Sequence, residues 1–279
     1  MSQFLRPALA ALDPYVPGEQ PQDKSYIKLN TNENPYPPAP GVMDAITREA
    51  VSQLKLYSDP TIAPLKQAIA HRYGLKTENV FVTNGSDETL GFSFLAFADA
   101  EHPVTIPDIS YGFYKVFAQL FQVSPCVIPL REDFTLPVEK FCGAGSMVVF
   151  ANPNAPTAIA LPLSQVEKIV ASNPEHVVLV DEAYVDFGGE SAVSLIDRYP
   201  NLLVVRTFSK SRSLAGARIG YALAQPALID DLERLCLEQH NIHLVIHYDP
   251  VVVGDPEQDS LRATIFAALQ TIDTRLNLH

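Results

Sequence analysis

The sequence predicts an α/β domain with a mainly parallel sheet, and three of its features carry the prediction. Short, almost continuous apolar runs recur along the chain, and stretches with helical apolar spacing separate them. Such runs mark strands buried on both faces, the situation of a parallel sheet covered by helices on each side. The polar and charged residues of interest follow directly after these runs, at the carboxyl ends of strands where ligands of such sheets bind. With 279 residues, 47% of them apolar, the chain is long enough to bury a large core.

The first forty residues are rich in proline and polar side chains and include Leu29-Asn30-Thr31-Asn32-Glu33-Asn34-Pro35. They read as an extended or looped arm over 1–40, because each proline turns its predecessor away from helix. From Gly41 to Gly74 the spacing of Val42, Ile46, Leu65 and Ile69 is helical, with a break at Tyr57-Ser58-Asp59-Pro60. Strands are expected at Val80–Thr83, Val104–Pro107, Pro125–Pro129, Met147–Ala151, Val177–Asp181, Leu202–Thr207 and Ile219–Ala224. Helices are expected at Ser86–Ala98, Tyr111–Phe121 and Leu163–Ser172, with Ser86 and Ser164 as helix caps.

Charge and cysteine usage narrow the class of partner. The 32 carboxylates against 20 lysines and arginines argue against nucleic acid or an anionic membrane, which require basic patches. No apolar run reaches the roughly 18 residues of a membrane span, and Met1–Arg6 has no secretion-signal pattern. Cys126, Cys142 and Cys236 are scattered and odd in number, as expected of reduced thiols in a cytoplasmic protein.

Chemistry concentrates in Arg206–Tyr221, which reads Arg-Thr-Phe-Ser-Lys-Ser-Arg-Ser-Leu-Ala-Gly-Ala-Arg-Ile-Gly-Tyr. Lys210 follows a strand and a small polar cluster, and Arg218 lies eight residues further on. Alone, a lysine after a strand is an ordinary surface residue. Upstream, Asp181 closes an aliphatic strand in Asp181-Glu182-Ala183-Tyr184, where a partly buried carboxylate needs a cationic partner. Thr83-Asn84-Gly85-Ser86-Asp87 joins a strand to a helix start, whose backbone N–H groups can bind phosphate. Arg218 can grip two oxygens of the same anion.

Together these segments resemble the cofactor core of the fold type I pyridoxal-phosphate aminotransferases, and most closely the histidinol-phosphate aminotransferases, over about Tyr26–Leu235. The resemblance implies a three-layer α/β/α large domain over 41–235 and pyridoxal 5′-phosphate as cofactor. It implies that Lys210 condenses with the cofactor aldehyde and shuttles a proton, and that Asp181 pairs with the pyridine nitrogen. By the same resemblance Tyr184 bonds the phenolic oxygen, Tyr111 stacks on the ring, and Gly85, Ser86, Asp87, Thr207, Ser209 and Arg218 form the phosphate cup. Tyr57 matches a residue that reaches the phosphate of the neighbouring subunit, which implies a homodimer. Asn152-Pro153-Asn154-Ala155-Pro156-Thr157-Ala158 departs from the family's Asn-Pro-Asn-Asn-Pro-Thr-Gly. Ala155 stands where an asparagine usually donates to the phenolic oxygen, so either Asn154 substitutes or Tyr184 works alone. Ala158 replaces a glycine and matters only if that position needs positive φ.

Past Leu235 the resemblance changes. Residues 238–250 and the Asp259–Asp273 helix pattern resemble the cytoplasmic domain of cation diffusion facilitator transporters, in which counterparts of His247 and Asp249 bind metal. The upstream ligands of that domain are missing, so no metal site is assigned. Residues 236–279 therefore read as a short α+β remnant in place of a small domain, as in a fusion of two partial genes. Arg262 sits in a Leu-Arg-Ala-Thr-Ile context like that of the small-domain arginine that binds substrate carboxylate. The readings that follow are transamination between histidinol phosphate and 2-oxoglutarate, a threonine-phosphate decarboxylase-like activity, a cofactor-binding fusion without full turnover, and a metal-responsive module.

Overall fold

The computed structural model describes residues 30–56 and 59–239. Within them the apolar runs become seven strands: β1 (Val80–Asn84), β2 (Val104–Pro107), β3 (Pro125–Ile128), β4 (Met147–Ala151), β5 (Val178–Asp181), β6 (Leu202–Thr207) and β7 (Ile219–Ala224). They form one sheet in the order β1-β7-β6-β5-β4-β2-β3. β7 runs antiparallel to both of its neighbours, and every other pair is parallel. The carboxyl ends of β1, β4, β5 and β6 and the start of β7 therefore meet at one edge.

Successive strand residues point to opposite faces, and both faces are covered. Val178 and Val180 of β5, with Val204 of β6 and Val148 of β4, pack on Leu65 and Ile69 of α3 (Ala63–Tyr73) and Ile169 of α7 (Leu163–Ala171). Leu179, Leu203 and Val149 face the other way, toward Leu90 and Phe94 of α4 (Ser86–Phe97), Tyr114 and Phe117 of α5 (Phe113–Leu120), and Ile229 and Leu232 of α8 (Pro226–Gln239). These side chains are almost wholly removed from water, a gain of about 1.5–3 kcal/mol for each large one. The layers are thus helix, sheet, helix. The shorter helices are α1 (Pro40–Ala45), α2 (Arg48–Ser52) and α6 (Val138–Phe141).

Each expected strand is present within a residue of its bounds, and the two serine caps are not. Gly85, at φ 79°, holds the cap position of α4, so Ser86 is its first helical residue. The Glu88 carboxylate accepts the Asn84 N–H at 2.7 Å and closes that turn instead. In α7 the Pro162 carbonyl accepts from Gln165 N (2.9 Å) and Val166 N (3.2 Å), which starts the helix before Ser164. Helices α6 and α8 were not expected from the sequence. In α8 the spacing of Leu228, Ile229, Leu232 and Leu235 behind Pro226 is helical, and the helix crosses the boundary expected at 235. Tyr57, Arg262, His247, Asp249 and the whole segment 240–279 lie outside the described residues, so their expected roles have no structural counterpart here.

Candidate active site

A cavity of about 230 Å³ opens at the strand-end edge. Ser86, Asp87, Tyr111, Asp181, Tyr184, Thr207, Ser209, Lys210 and Arg218 line it, so residues from five segments singled out in the sequence share one cavity. Thr31, Glu33, Ala151, Ala155, Ala183 and Ala215 complete the wall. Thr31 and Glu33 were missed because nothing in the arm's Asn-Thr-Asn-Glu-Asn pattern assigns chemistry to them before the arm is seen folded over the site.

The floor is acidic. Asp181 ends β5 on the α5 side, where its Oδ2 accepts the Tyr114 hydroxyl at 2.8 Å and its Oδ1 the Ala183 N–H at 3.1 Å. Burial lifts its pKa from 3.8 to about 6, against the pull of those two bonds. Burial beside Asp181 in turn pushes the Tyr114 phenol well above its ordinary value. A buried acid held this way favours a cation above it.

Lys210 lies opposite, on the turn after β6. Its Nζ donates to the Thr31 carbonyl at 3.2 Å and stands 5.5 Å from the centre of the Tyr184 ring. Below that turn, Asp186 accepts from Ser211 Oγ (2.5 Å) and Arg212 Nη1 (2.7 Å) and pairs with Arg206. Burial opposes the ionised form of Asp186, but Arg206 and Arg212 outweigh it and hold its carboxyl below the usual range. Arg206 also meets Glu182 at 3.4 Å, both side chains nearly fully buried. Burial pushes Glu182 up to about 7 despite Arg206 and the Ser191 and Ala192 donors.

The rim is built for an anion. The N-terminus of α4 meets the start of β7 so closely that a Cβ on Gly220 would lie 2.3 Å from Ser86 N. A Cβ on Gly85 would lie 2.5 Å from Arg218 Nη2. The backbone contact at Gly220 and the φ of 79° at Gly85 thus call for glycine, and the first-turn N–H groups of α4, the Arg218 guanidinium and the Thr207 and Ser209 hydroxyls (3.0 Å apart) crowd together. Arg218 is at φ 54° and pairs with Asp87 at 3.5 Å, while Asp87 also accepts the Tyr111 hydroxyl at 2.7 Å.

The structure bears on two points that the sequence leaves open at the end of β4. The Asn154 amide donates to the Ile109 carbonyl (3.1 Å) and Thr157 Oγ1 (3.1 Å), and its oxygen accepts Ser110 Oγ (2.7 Å). It pins this loop to the loop after β2, and Ala155 rather than Asn154 faces the cavity. Ala158 does occupy a position of positive φ, 59°.

A lysine and a buried acid thus share one cavity, with helix N–H groups, an arginine and two hydroxyls gathered at its rim. The chain belongs to the aminotransferase class I and II family, which matches residues 24–246. It is 54% identical over 235 residues to a histidinol-phosphate aminotransferase of Clostridium acetobutylicum, covering 84% of this chain and 67% of that one. A Marinomonas relative of the same name is 56% identical over 236 residues, with the same coverage. The chain therefore spans about two thirds of the length of these curated relatives. Among solved structures, the Sinorhizobium meliloti histidinol-phosphate aminotransferase in complex with pyridoxal-5′-phosphate superposes with a TM-score of 0.71 at 26% identity, covering 87% of this chain and 65% of that one. An L-threonine-O-3-phosphate decarboxylase from Porphyromonas gingivalis shares the fold, with a TM-score of 0.64 at 20% identity over 81% of this chain and 67% of that one. The family match runs to residue 246, into the stretch likened to a cation diffusion facilitator, and that likeness is not supported.

Proposed function

We propose that this protein is a pyridoxal-phosphate-dependent aminotransferase that takes histidinol phosphate as amino donor and 2-oxoglutarate as acceptor, in histidine biosynthesis. The observation that carries the reading is that Lys210 and Asp181 line one cavity, in a chain 54–56% identical over 84% of its length to enzymes of that name.

The residues present fit the cofactor. Asp181 is an acid whose burial calls for a cation, Lys210 is an amine within the same wall, and the two glycines leave room for an anion against backbone N–H groups. The Thr31 hydroxyl, buried with no hydrogen-bond partner, adds a polar group at the same wall. When bound, pyridoxal 5′-phosphate supplies an aldehyde that condenses with amines and a ring that takes up the electrons of the bond being broken.

This chain's residues do the rest. Arg218, the α4 N–H groups, Thr207 and Ser209 bind the phosphate, and Asp181 holds a positive charge on the ring nitrogen. Tyr111 covers one ring face. Lys210 Nζ would hold the cofactor through its aldehyde and, as a free amine, would move a proton at the substrate carbon. Tyr184 donates to the ring oxygen. The cofactor-binding unit is 41–235, with the segment before it as an arm. The functional state is a homodimer, supported by the apolar surface of residues 36–56.

Borohydride reduction of the cofactor-loaded protein, followed by peptide mapping, is expected to place the pyridoxyl group on Lys210. Its appearance on Lys168 or another lysine would overturn the site. Histidinol phosphate is expected to bleach the yellow of the loaded protein, whereas bleaching by threonine phosphate alone would favour the decarboxylase-like reading.

A further inference from the structure

We infer that Asn32, on the arm, is a positioning residue that sets the hydrogen-bonding strength of Tyr184 and so replaces the donor that Ala155 lacks. The inference rests on the proposed cofactor site. The Asn32 side-chain Nδ2 donates to the Tyr184 hydroxyl at 3.0 Å, across 152 residues of sequence. The side chains that could act from the other wall do not do so. Ala155 has no polar atom, and the Asn154 amide is held by Ile109, Thr157 and Ser110.

The arm is also fastened on either side of Asn32. Besides the Asn32 bond, the Thr31 carbonyl accepts Lys210 Nζ at 3.2 Å, and Asn34 Nδ2 donates to the Ser211 carbonyl at 3.4 Å. Asn32 itself is at φ 53°, a conformation that asparagine tolerates better than other residues bearing a Cβ. That backbone turn falls between the Thr31 and Asn34 contacts. A phenol oxygen that accepts one hydrogen bond still has its own proton to give. Accepting from an amide polarises the O–H and strengthens the bond it donates, because linked hydrogen bonds reinforce one another. With Asn32 behind it, Tyr184 directs a stronger donor into the cavity than an unassisted tyrosine would.

The test reads the cofactor's visible band rather than turnover. In the loaded protein the pH midpoint of that band reports how firmly the ring oxygen shares the proton of the lysine linkage. A donor bond from Tyr184 to the same oxygen competes for it, so weakening Tyr184 raises the midpoint. Asn32→Gly keeps the positive φ and removes the amide. It is expected to raise the midpoint by about half to one pH unit, the size of one net hydrogen bond. The charged and titratable groups around Tyr184 (Lys210, Asp181, Asp87, Arg218, Glu33 and Tyr111) are unchanged in that variant.

Two further variants separate a donor chain from a general loosening of the arm. In a Tyr184→Phe background, Asn32→Gly is expected to have no additional effect on the midpoint. Ala155→Asn, which places an amide on the opposite wall, is expected to lower the midpoint of Asn32→Gly toward that of the parent. An unshifted midpoint in Asn32→Gly, or an equal shift with and without the Tyr184 hydroxyl, would overturn the role of Asn32 while leaving the cofactor site intact. If the parent protein takes up no cofactor and never turns yellow, the proposed function itself fails.

Discussion

Asp181 has both oxygens bonded and almost no solvent, yet it retains its proton to about pH 6 because burial outweighs its two donors. Glu182, next in sequence but on the other face of the sheet, behaves alike and is pushed up to about 7. A native state that keeps protons to higher pH than the unfolded chain loses stability as pH rises, and here the window runs from about 4 to about 7. Without cofactor, the protein is therefore expected to melt at lower temperature at pH 7 than at pH 5. Asp181→Asn, which cannot ionise, should remove up to about 3 kcal/mol of that slope. An identical pH profile for the variant would show that Asp181 titrates normally. A positive ring nitrogen over Asp181 reverses its preference, so loading with cofactor should flatten the profile as well. Ala158 illustrates a smaller residue-scale cost. At φ 59° its Cβ is crowded, and Ala158→Gly is expected to stabilise by about 0.5–1 kcal/mol, as the relief of left-handed strain exceeds the added chain entropy. Denaturant midpoints of the two proteins decide it.

The turn after β6 shows how an element is held for chemistry by residues that never touch the cavity. Asp186 follows β5 and binds Ser211 and Arg212 of the Lys210 turn, while Arg206 of β6 joins the same carboxylate. Asp186→Ala would leave two largely buried guanidinium groups short of a counter-charge. A fully buried pair broken this way costs about 3–5 kcal/mol. Because 23% of the Asp186 side chain is exposed, a loss nearer ~2–3 kcal/mol is expected, together with slower trapping of cofactor on Lys210. Unchanged stability and trapping would mean the turn is held by its own backbone. This network also marks the limit of what the sequence reveals. Local patterns sufficed for the strands, because burial on both faces leaves long aliphatic runs, whereas Lys210, Asp181 and Arg218 were singled out by the family resemblance of the segments that hold them. Local patterns could not reveal Asn32 above Tyr184, Asp186 beneath Lys210 or Tyr114 against Asp181. Those contacts, the second made through Ser211 of the Lys210 turn, join residues 152, 25 and 67 positions apart, and tertiary packing alone brings them together. The Ser86 cap failed for a related reason: Gly85 takes the cap position where the start of β7 comes against the backbone of Gly85 and Ser86.

At the scale of the whole molecule, the distribution of exposed apolar side chains is uneven. Of the large hydrophobic residues at the surface among the described residues, Tyr36, Met43, Ile46, Val51, Leu54 and Leu56 all fall within residues 36–56. The remaining five are spread over residues 109–187. Scattered exposed residues are ordinary, whereas a group in one short segment marks a surface that another molecule covers. Helices α1 and α2 carry Met43 and Val51 of this group, and Tyr57, which by family resemblance reaches the phosphate of the neighbouring subunit, follows directly after it. A second copy of the chain is therefore the proposed cover, and the two sites should share residues across the contact. Replacing Ile46 and Leu54 together by glutamate puts charge into that surface without touching the strand-end cavity. The parent is expected to sediment as a dimer at micromolar concentration and the double variant as a folded monomer with parental circular dichroism. If Tyr57 serves the partner's phosphate cup, the monomer should also bind cofactor about tenfold or more weakly, the loss of one charge-assisted contact. A parent that sediments as a monomer, or a variant that still dimerises, would assign the apolar segment to some other contact. A monomer with parental cofactor affinity would leave the dimer in place and remove Tyr57 from the site.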